Sequence, residues 1–199
     1  MKFFVNFLSA FRIAAAFAII PAVIFKMPWT TFILFVLGSA SDWFDGFLAR
    51  KYNCCTKIGG VLDHIGDKLL VCNTLVLLAI MMPVPYVVIP VIIMIARELY
   101  ISGLREFLGT QKIEMPVPKA RFSMGKIKTT LQMIAISAYL GLHVVITSIT
   151  PTTDSAFVMK LFYYLPSIGL IFLWAAFVAS LWSATEYTFT FAKKLKQVK

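Results

Sequence analysis

Acidic residues are scarce in this chain. Nine Asp and Glu stand among 199 residues, against nineteen Lys and Arg. Charged residues of both signs make up 14% of the sequence, while 60% is hydrophobic and 18 residues are Phe. That scarcity excludes an ordinary water-soluble domain, in which about a quarter of the residues are charged. Cysteine is rare as well. Cys54, Cys55 and Cys72 form no metal-ligand spacing, and the adjacent pair makes a poor disulfide, so reduced thiols are expected. The first apolar run lacks a small-residue cleavage site and continues to Phe25, so it reads as a retained span rather than a secretory signal. Internal repeats and low-complexity tracts are missing, and residues 1–199 read as one helical membrane domain.

Long apolar runs are what the chain has in their place. Six of them approach the roughly 20 residues that cross a bilayer as helix: 8–25, 31–50, 62–82, 86–107, 127–150 and 161–186. The expected fold is an all-α integral membrane protein with six transmembrane helices. Phe3, Phe4, Phe7, Leu8 and Phe11 recur at helical spacing opposite Lys2, Asn6 and Ser9. That pattern predicts a short amphipathic juxtamembrane helix ahead of the first span.

Basic residues alternate between connections. Arg50, Lys51 and Lys57 follow span 2. Arg105, Lys112, Lys119, Arg121, Lys126 and Lys128 surround the connection after span 4, and Lys193, Lys194, Lys196 and Lys199 close the chain. The other connections carry Lys26, nothing in "MMPVPY", and Lys160. The positive-inside rule then puts both termini in the cytoplasm. A formal charge of +10 does not point to nucleic acid here, because these cations flank apolar segments, where anionic membrane lipids attract them.

Four of the nine acids are gathered in one stretch: Asp42, Asp45, Asp63 and Asp67. Asp42 and Asp45 are three apart near the end of span 2, and Asp63 and Asp67 four apart at the start of span 3. Each pair therefore shares a helical face. The two helices run antiparallel across a short polar connection, so four carboxylates can converge near the cytoplasmic membrane boundary. Burying such charges costs several kcal/mol per ion without compensation, and the dipole at the end of span 2 disfavours two of them. A divalent cation answers both objections, and all-oxygen ligands favour Mg²⁺ or Mn²⁺ over zinc. Solvated carboxylates on an exposed hairpin remain the structural alternative. A cation transporter would instead place acids at mid-membrane, with a polar path beyond them, and a membrane anchor would need none of the four.

The same residues spell a longer pattern: Asp42-x-x-Asp45-Gly46-x-x-Ala49-Arg50, eight residues, Gly59, three residues, Asp63, three residues, Asp67. This resembles the signature of the CDP-alcohol phosphatidyltransferase family at every fixed position. The resemblance implies a membrane enzyme of about six helices, commonly a homodimer, that moves a phosphatidyl group from a CDP-linked donor to an alcohol. It implies Asp42, Asp45, Asp63 and Asp67 as ligands of two metal ions, with Asp67 also the general base. Gly46, Ala49, Arg50, Thr56 and Gly59 would surround the cytidine diphosphate. Paired cations suit this chemistry, because they neutralise a pyrophosphate and fix an in-line attack.

Three further stretches resemble the bacterial branch of that family that joins CDP-diacylglycerol to glycerol 3-phosphate in the inner membrane. They are "NFLSAFRI" with Asn6, Ser9 and Arg12, "IARELYISGLRE" from Ile95, and "GKIKTTLQMIAI" from Gly125. Val5 and Ser9 depart from that branch's usual Pro and Thr. Other acceptors of the family, among them inositol phosphate, serine and phosphatidylglycerol, stay open at this point. A phosphorylated acceptor needs cations. Arg97 lies roughly 15 Å in from the end of span 4, where an arginine needs a partner such as Glu98 or an acceptor phosphate. Arg105, Lys126 and Lys128 lie nearer the interface and complete the expected acceptor-phosphate set, although lysines there can also snorkel to headgroups.

Overall fold

The computed structural model describes residues 2–52, 57–110, 124–148 and 156–196; at 2–6, 42–52, 57, 58, 63, 124, 126, 148, 156–159, 161 and 196 it describes the backbone alone. The described residues form six helices: α1 Lys2–Ile24, α2 Pro28–Tyr52, α3 Lys57–Met81, α4 Pro85–Thr110, α5 Met124–Ser148 and α6 Ala156–Lys196. Local chemistry sets their ends. Pro28 and Pro85 open α2 and α4, at the position where a missing N–H costs nothing. After α1, Lys26 takes a left-handed φ of 54°. The Met27 and Lys26 amides then donate to the Ala22 and Val23 carbonyls at 2.8 and 3.0 Å. This is a Schellman cap with lysine where glycine is usual.

The expected amphipathic helix at the N-terminus is not a separate element. Lys2 to Ile24 is one continuous helix; on it Ser9 and Arg12 are buried in the bundle while Phe7 is exposed. Five helices have described segments long and apolar enough to span a membrane; the described apolar part of α2 is Pro28–Ser41. The sixth helix runs well beyond the expected 161–186. Its 41 residues measure about 60 Å at 1.5 Å per residue, twice a bilayer's hydrocarbon core.

In the packing, α1 lies against α2 and α3, α6 against α5 and α4, and α2 meets α5 to join the two groups. Ile19, Phe35, Leu70, Leu78, Met94, Ile136 and Leu173 meet at the centre. Small residues let the helices close up: a Cβ at Gly169 of α6 would stand 2.9 Å from the Tyr139 ring of α5. Polar side chains inside the bundle bond to backbone, as Asn73 does to the Ala16 carbonyl at 3.0 Å. Cys72 is a free thiol; Cys54 and Cys55 lie outside the described residues.

Candidate functional site

Asp42, Asp45, Gly46, Ala49 and Arg50 fall in the last three turns or so of α2, and Gly59, Asp63 and Asp67 in about the first three of α3. Thr56 lies outside the described residues, and so do the side chains of Asp42, Asp45, Ala49, Arg50 and Asp63. Among the described residues no three His, Cys, Asp or Glu side chains come together as metal ligands. The backbone still places the two aspartate-bearing segments. A Cβ on Gly38 of α2 would come within 2.8 Å of Leu70 Cδ2 on α3, nearer than side chains tolerate. Gly38 precedes Asp42 by four residues and Leu70 follows Asp67 by three. The helices therefore touch about one turn from each carboxylate pair.

A residue without an assigned role in the sequence sits at this junction. Arg12 of α1 has no exposed surface. Its Nε donates to Ser41 Oγ at 3.5 Å, immediately before Asp42, and Ser41 Oγ donates to the Gly38 carbonyl at 2.7 Å. On the other side, Arg12 Cδ lies 3.4 Å from where a Gly66 Cβ would be, immediately before Asp67. A buried guanidinium requires polar or anionic surroundings. Here it is wedged between the two turns that carry the acids. A lone arginine inside an apolar span is the sequence signal that marks it.

The second cluster is cationic and is built from α3, α4, α5 and α6. Arg97 is 8% exposed and Lys128 5% exposed. Arg97 Nη1 donates to Glu98 Oε1 at 2.9 Å, and Nη2 donates to Ser183 Oγ at 2.8 Å. Lys128 Nζ pairs with the same Glu98 oxygen. Lys68 donates to Ser102 Oγ, which donates to the Glu98 carbonyl at 2.7 Å. Farther out, Arg105 Nη2 donates to the Tyr187 hydroxyl at 2.9 Å, and its guanidinium lies 5.0 Å from that ring's centroid. Lys68 and Lys128 both stand within the field of Asp67 and of Arg97, and Arg105 acts on Lys68 and Arg97.

The structure thus brings together Arg97, Arg105 and Lys128 of the expected acceptor set, while the Lys126 side chain lies outside the described residues. It adds Lys68, which the sequence places beside Asp67 without a role, and Ser183 and Tyr187 of α6. That helix shows little beyond hydrophobicity in the sequence. A hydroxyl on a long apolar helix carries no signal until the helix facing it is known.

The described side chains form a basic compartment that begins one residue past Asp67. The four aspartates fall on the adjoining turns of α2 and α3, and four carboxylates would suit a hard divalent cation. Residues 3–182 match the sequence profile of the CDP-alcohol phosphatidyltransferase family. The chain is 43% identical over 135 residues to a CDP-diacylglycerol–glycerol-3-phosphate 3-phosphatidyltransferase of Rickettsia bellii, covering 66% of this chain and 71% of the relative. Relatives with the same description cover more of it. That of Sodalis glossinidius is 32% identical over 92% of both chains, and that of Blochmanniella floridana 29% identical over 97% of this chain and 93% of its own.

Proposed function

The chain belongs to the CDP-alcohol phosphatidyltransferase family, and from that membership we propose that it transfers the phosphatidyl group of CDP-diacylglycerol to glycerol 3-phosphate. The products are phosphatidylglycerophosphate and CMP. The observation that carries the choice of acceptor is the basic compartment: Arg97 and Lys128 are buried against one Glu98 oxygen, with Lys68 bonded beside them to Ser102 and Arg105 farther out on α4. A phosphomonoester carries a charge of about −1.5 to −2 near neutral pH and would find its counter-charges there. Serine would bring no such dianion.

In the reaction the primary hydroxyl of glycerol 3-phosphate attacks the phosphatidyl phosphorus. Asp67 accepts the hydroxyl proton, a new P–O bond forms, and the bond to the CMP phosphate breaks with its electron pair leaving on CMP. Asp42, Asp45, Asp63 and Asp67 would hold Mg²⁺ or Mn²⁺, which supplies charge neutralisation at the pyrophosphate when bound. Gly46, Ala49 and Gly59 leave room for the cytidine diphosphate against the backbone, with Arg50 and Thr56 beside it. Arg97 and Arg105, about two turns apart on α4, hold the acceptor phosphate at different depths, with Lys128 and Lys126 from α5. Arg12 fixes the spacing of α2 and α3 from behind.

We place the site and both termini on the cytoplasmic side of the inner membrane, with the donor's acyl tails in lipid, and we expect a homodimer. Reporter fusions at each end and cross-linking in native membranes check those two assignments. The deciding experiment is an acceptor panel. Purified protein receives labelled CDP-diacylglycerol, Mg²⁺ or Mn²⁺, and in turn glycerol 3-phosphate, inositol phosphate, serine and phosphatidylglycerol. Product with glycerol 3-phosphate alone is expected; transfer to serine or phosphatidylglycerol in its place overturns the reading.

A further inference from the structure

Glu98 is the one acid inside the basic compartment among the described residues, and three cations are tied to it, two by one carboxylate oxygen and one through Ser102. Its carboxylate oxygen takes Arg97 Nη1 from the preceding residue and Lys128 Nζ from α5. Its backbone carbonyl takes the Ser102 hydroxyl, which in turn receives Lys68 from α3. Arg97 is fixed on its other side by Ser183 of α6. Its Nε is buried and has no partner among the described residues. A buried guanidinium N–H left without an acceptor is costly, and it marks the donor reserved for a ligand.

The charges make the same point. Lys68, Arg97, Arg105 and Lys128 against Glu98 leave the compartment at 4 − 1 = +3, most of which a dianionic phosphomonoester offsets. Without Glu98 the two buried cations, Arg97 and Lys128, would face each other across helices with nothing between them.

We propose that Glu98 is a positioning and specificity-determining residue for the acceptor. It clamps Arg97 and Lys128 at the separation that receives a phosphomonoester, and it brings the compartment's charge closer to that ligand's. Glu98 does not touch the reacting atoms; it acts through the two cations. The inference rests on the proposed use of glycerol 3-phosphate and goes beyond it by naming what makes a phosphate, rather than any hydroxyl, the acceptor's required group.

The test compares wild type with Glu98→Gln and Glu98→Asp in detergent or nanodiscs, measuring KM for glycerol 3-phosphate and CDP-diacylglycerol separately, and turnover with plain glycerol. Glu98→Gln should raise the glycerol 3-phosphate KM about tenfold or more, leave the donor KM within about twofold, and narrow the preference for glycerol 3-phosphate over glycerol. Glu98→Asp keeps the charge on a shorter arm and should recover part of the loss. KM is read on active molecules, so partial misfolding lowers kcat without imitating this pattern. If Glu98→Gln does not fold at all, Glu98→Asp alone should still show an acceptor-selective rise. Equal rises for both substrates, or an unchanged acceptor KM in either folded variant, overturn the proposal. A wild-type protein that ignores glycerol 3-phosphate overturns the functional reading itself, whereas one that uses it with an indifferent Glu98→Gln variant overturns the clamp alone.

Discussion

Asp67 ends the acidic signature, and the next residue, Lys68, begins the basic cluster. In the proposed reaction a base in that position would reach a hydroxyl whose phosphate is held farther along α3 and α4. Asp67→Asn keeps the shape and removes the proton acceptor. Turnover should fall by about 10²–10⁴-fold, the usual cost of losing a general base, with donor binding largely kept. Near-normal kcat at saturating substrate and metal would remove Asp67 from that role. Arg97→Lys tests the neighbouring compartment. Lysine keeps the charge but loses the planar fork that serves Glu98, Ser183 and a ligand at once. The acceptor's kcat/KM should drop by about tenfold or more, equivalent to about 1.4 kcal/mol, and the KM for CDP-diacylglycerol should move much less. An equal loss for both substrates would make Arg97 a support of the fold only.

At the scale of elements, the six spans were legible because lipid imposes length and apolarity on each helix separately. Their observed ends differ from the expected ones by a few residues, except in α6. Its lower turns alternate polar and aromatic residues, such as Thr185, Tyr187, Thr188 and Phe191, and only the neighbouring α4 explains them. Tyr100 and Thr188 share a hydrogen bond at 3.3 Å, and the Phe107 and Phe191 rings lie 5.9 Å apart. The packing of the first helix was not legible for a related reason. Hydrophobic periodicity gives two faces but does not say which one meets lipid, and in α1 the buried face is the one with Ser9 and Arg12. The aspartate signature was legible in full, since its spacing is local. The clamp at Glu98 was not, because three of its connections join different helices.

One helix contact shows how little slack surrounds the acids. A Cβ on Gly66 would meet Ile13 Cγ1 at 3.3 Å and the Ser9 carbonyl oxygen at 3.4 Å. Gly66→Val should force α1 from α3 and cost about 1–3 kcal/mol, lowering the melting temperature in detergent together with activity. Gly60→Val, on the same helix with nothing described within 4 Å of its Cβ, serves as the control. Equal melting temperatures for the two variants would deny the close approach.

Across the whole molecule, the acidic half and the basic half answer to different reagents. If the carboxylates hold hard cations, exhaustive chelation should abolish activity, and Mg²⁺ or Mn²⁺ should restore it better than a soft ion. Activity that survives chelation would leave the four aspartates without their proposed task. Chelation should not disturb the basic half, whose ion pairs are internal to the protein.

The two halves also differ in when they can exist. Asp42 to Asp67 leave the ribosome early, with α1 already made to supply Arg12. The partners of α4 lie far downstream, Lys128 on α5 and Ser183 on α6. Synthesis at about 5–20 residues per second puts several seconds between the two events. During that interval Arg97 sits in the membrane with Glu98 as its companion, its other hydrogen-bond partner not yet made. Nascent chains arrested before residue 183 should therefore cross-link α2 to α3 but not α4 to α6, and release past that point should restore the second cross-link. The proposed donor side would be assembled first and the proposed acceptor side last, an order that follows from where their residues fall along the chain.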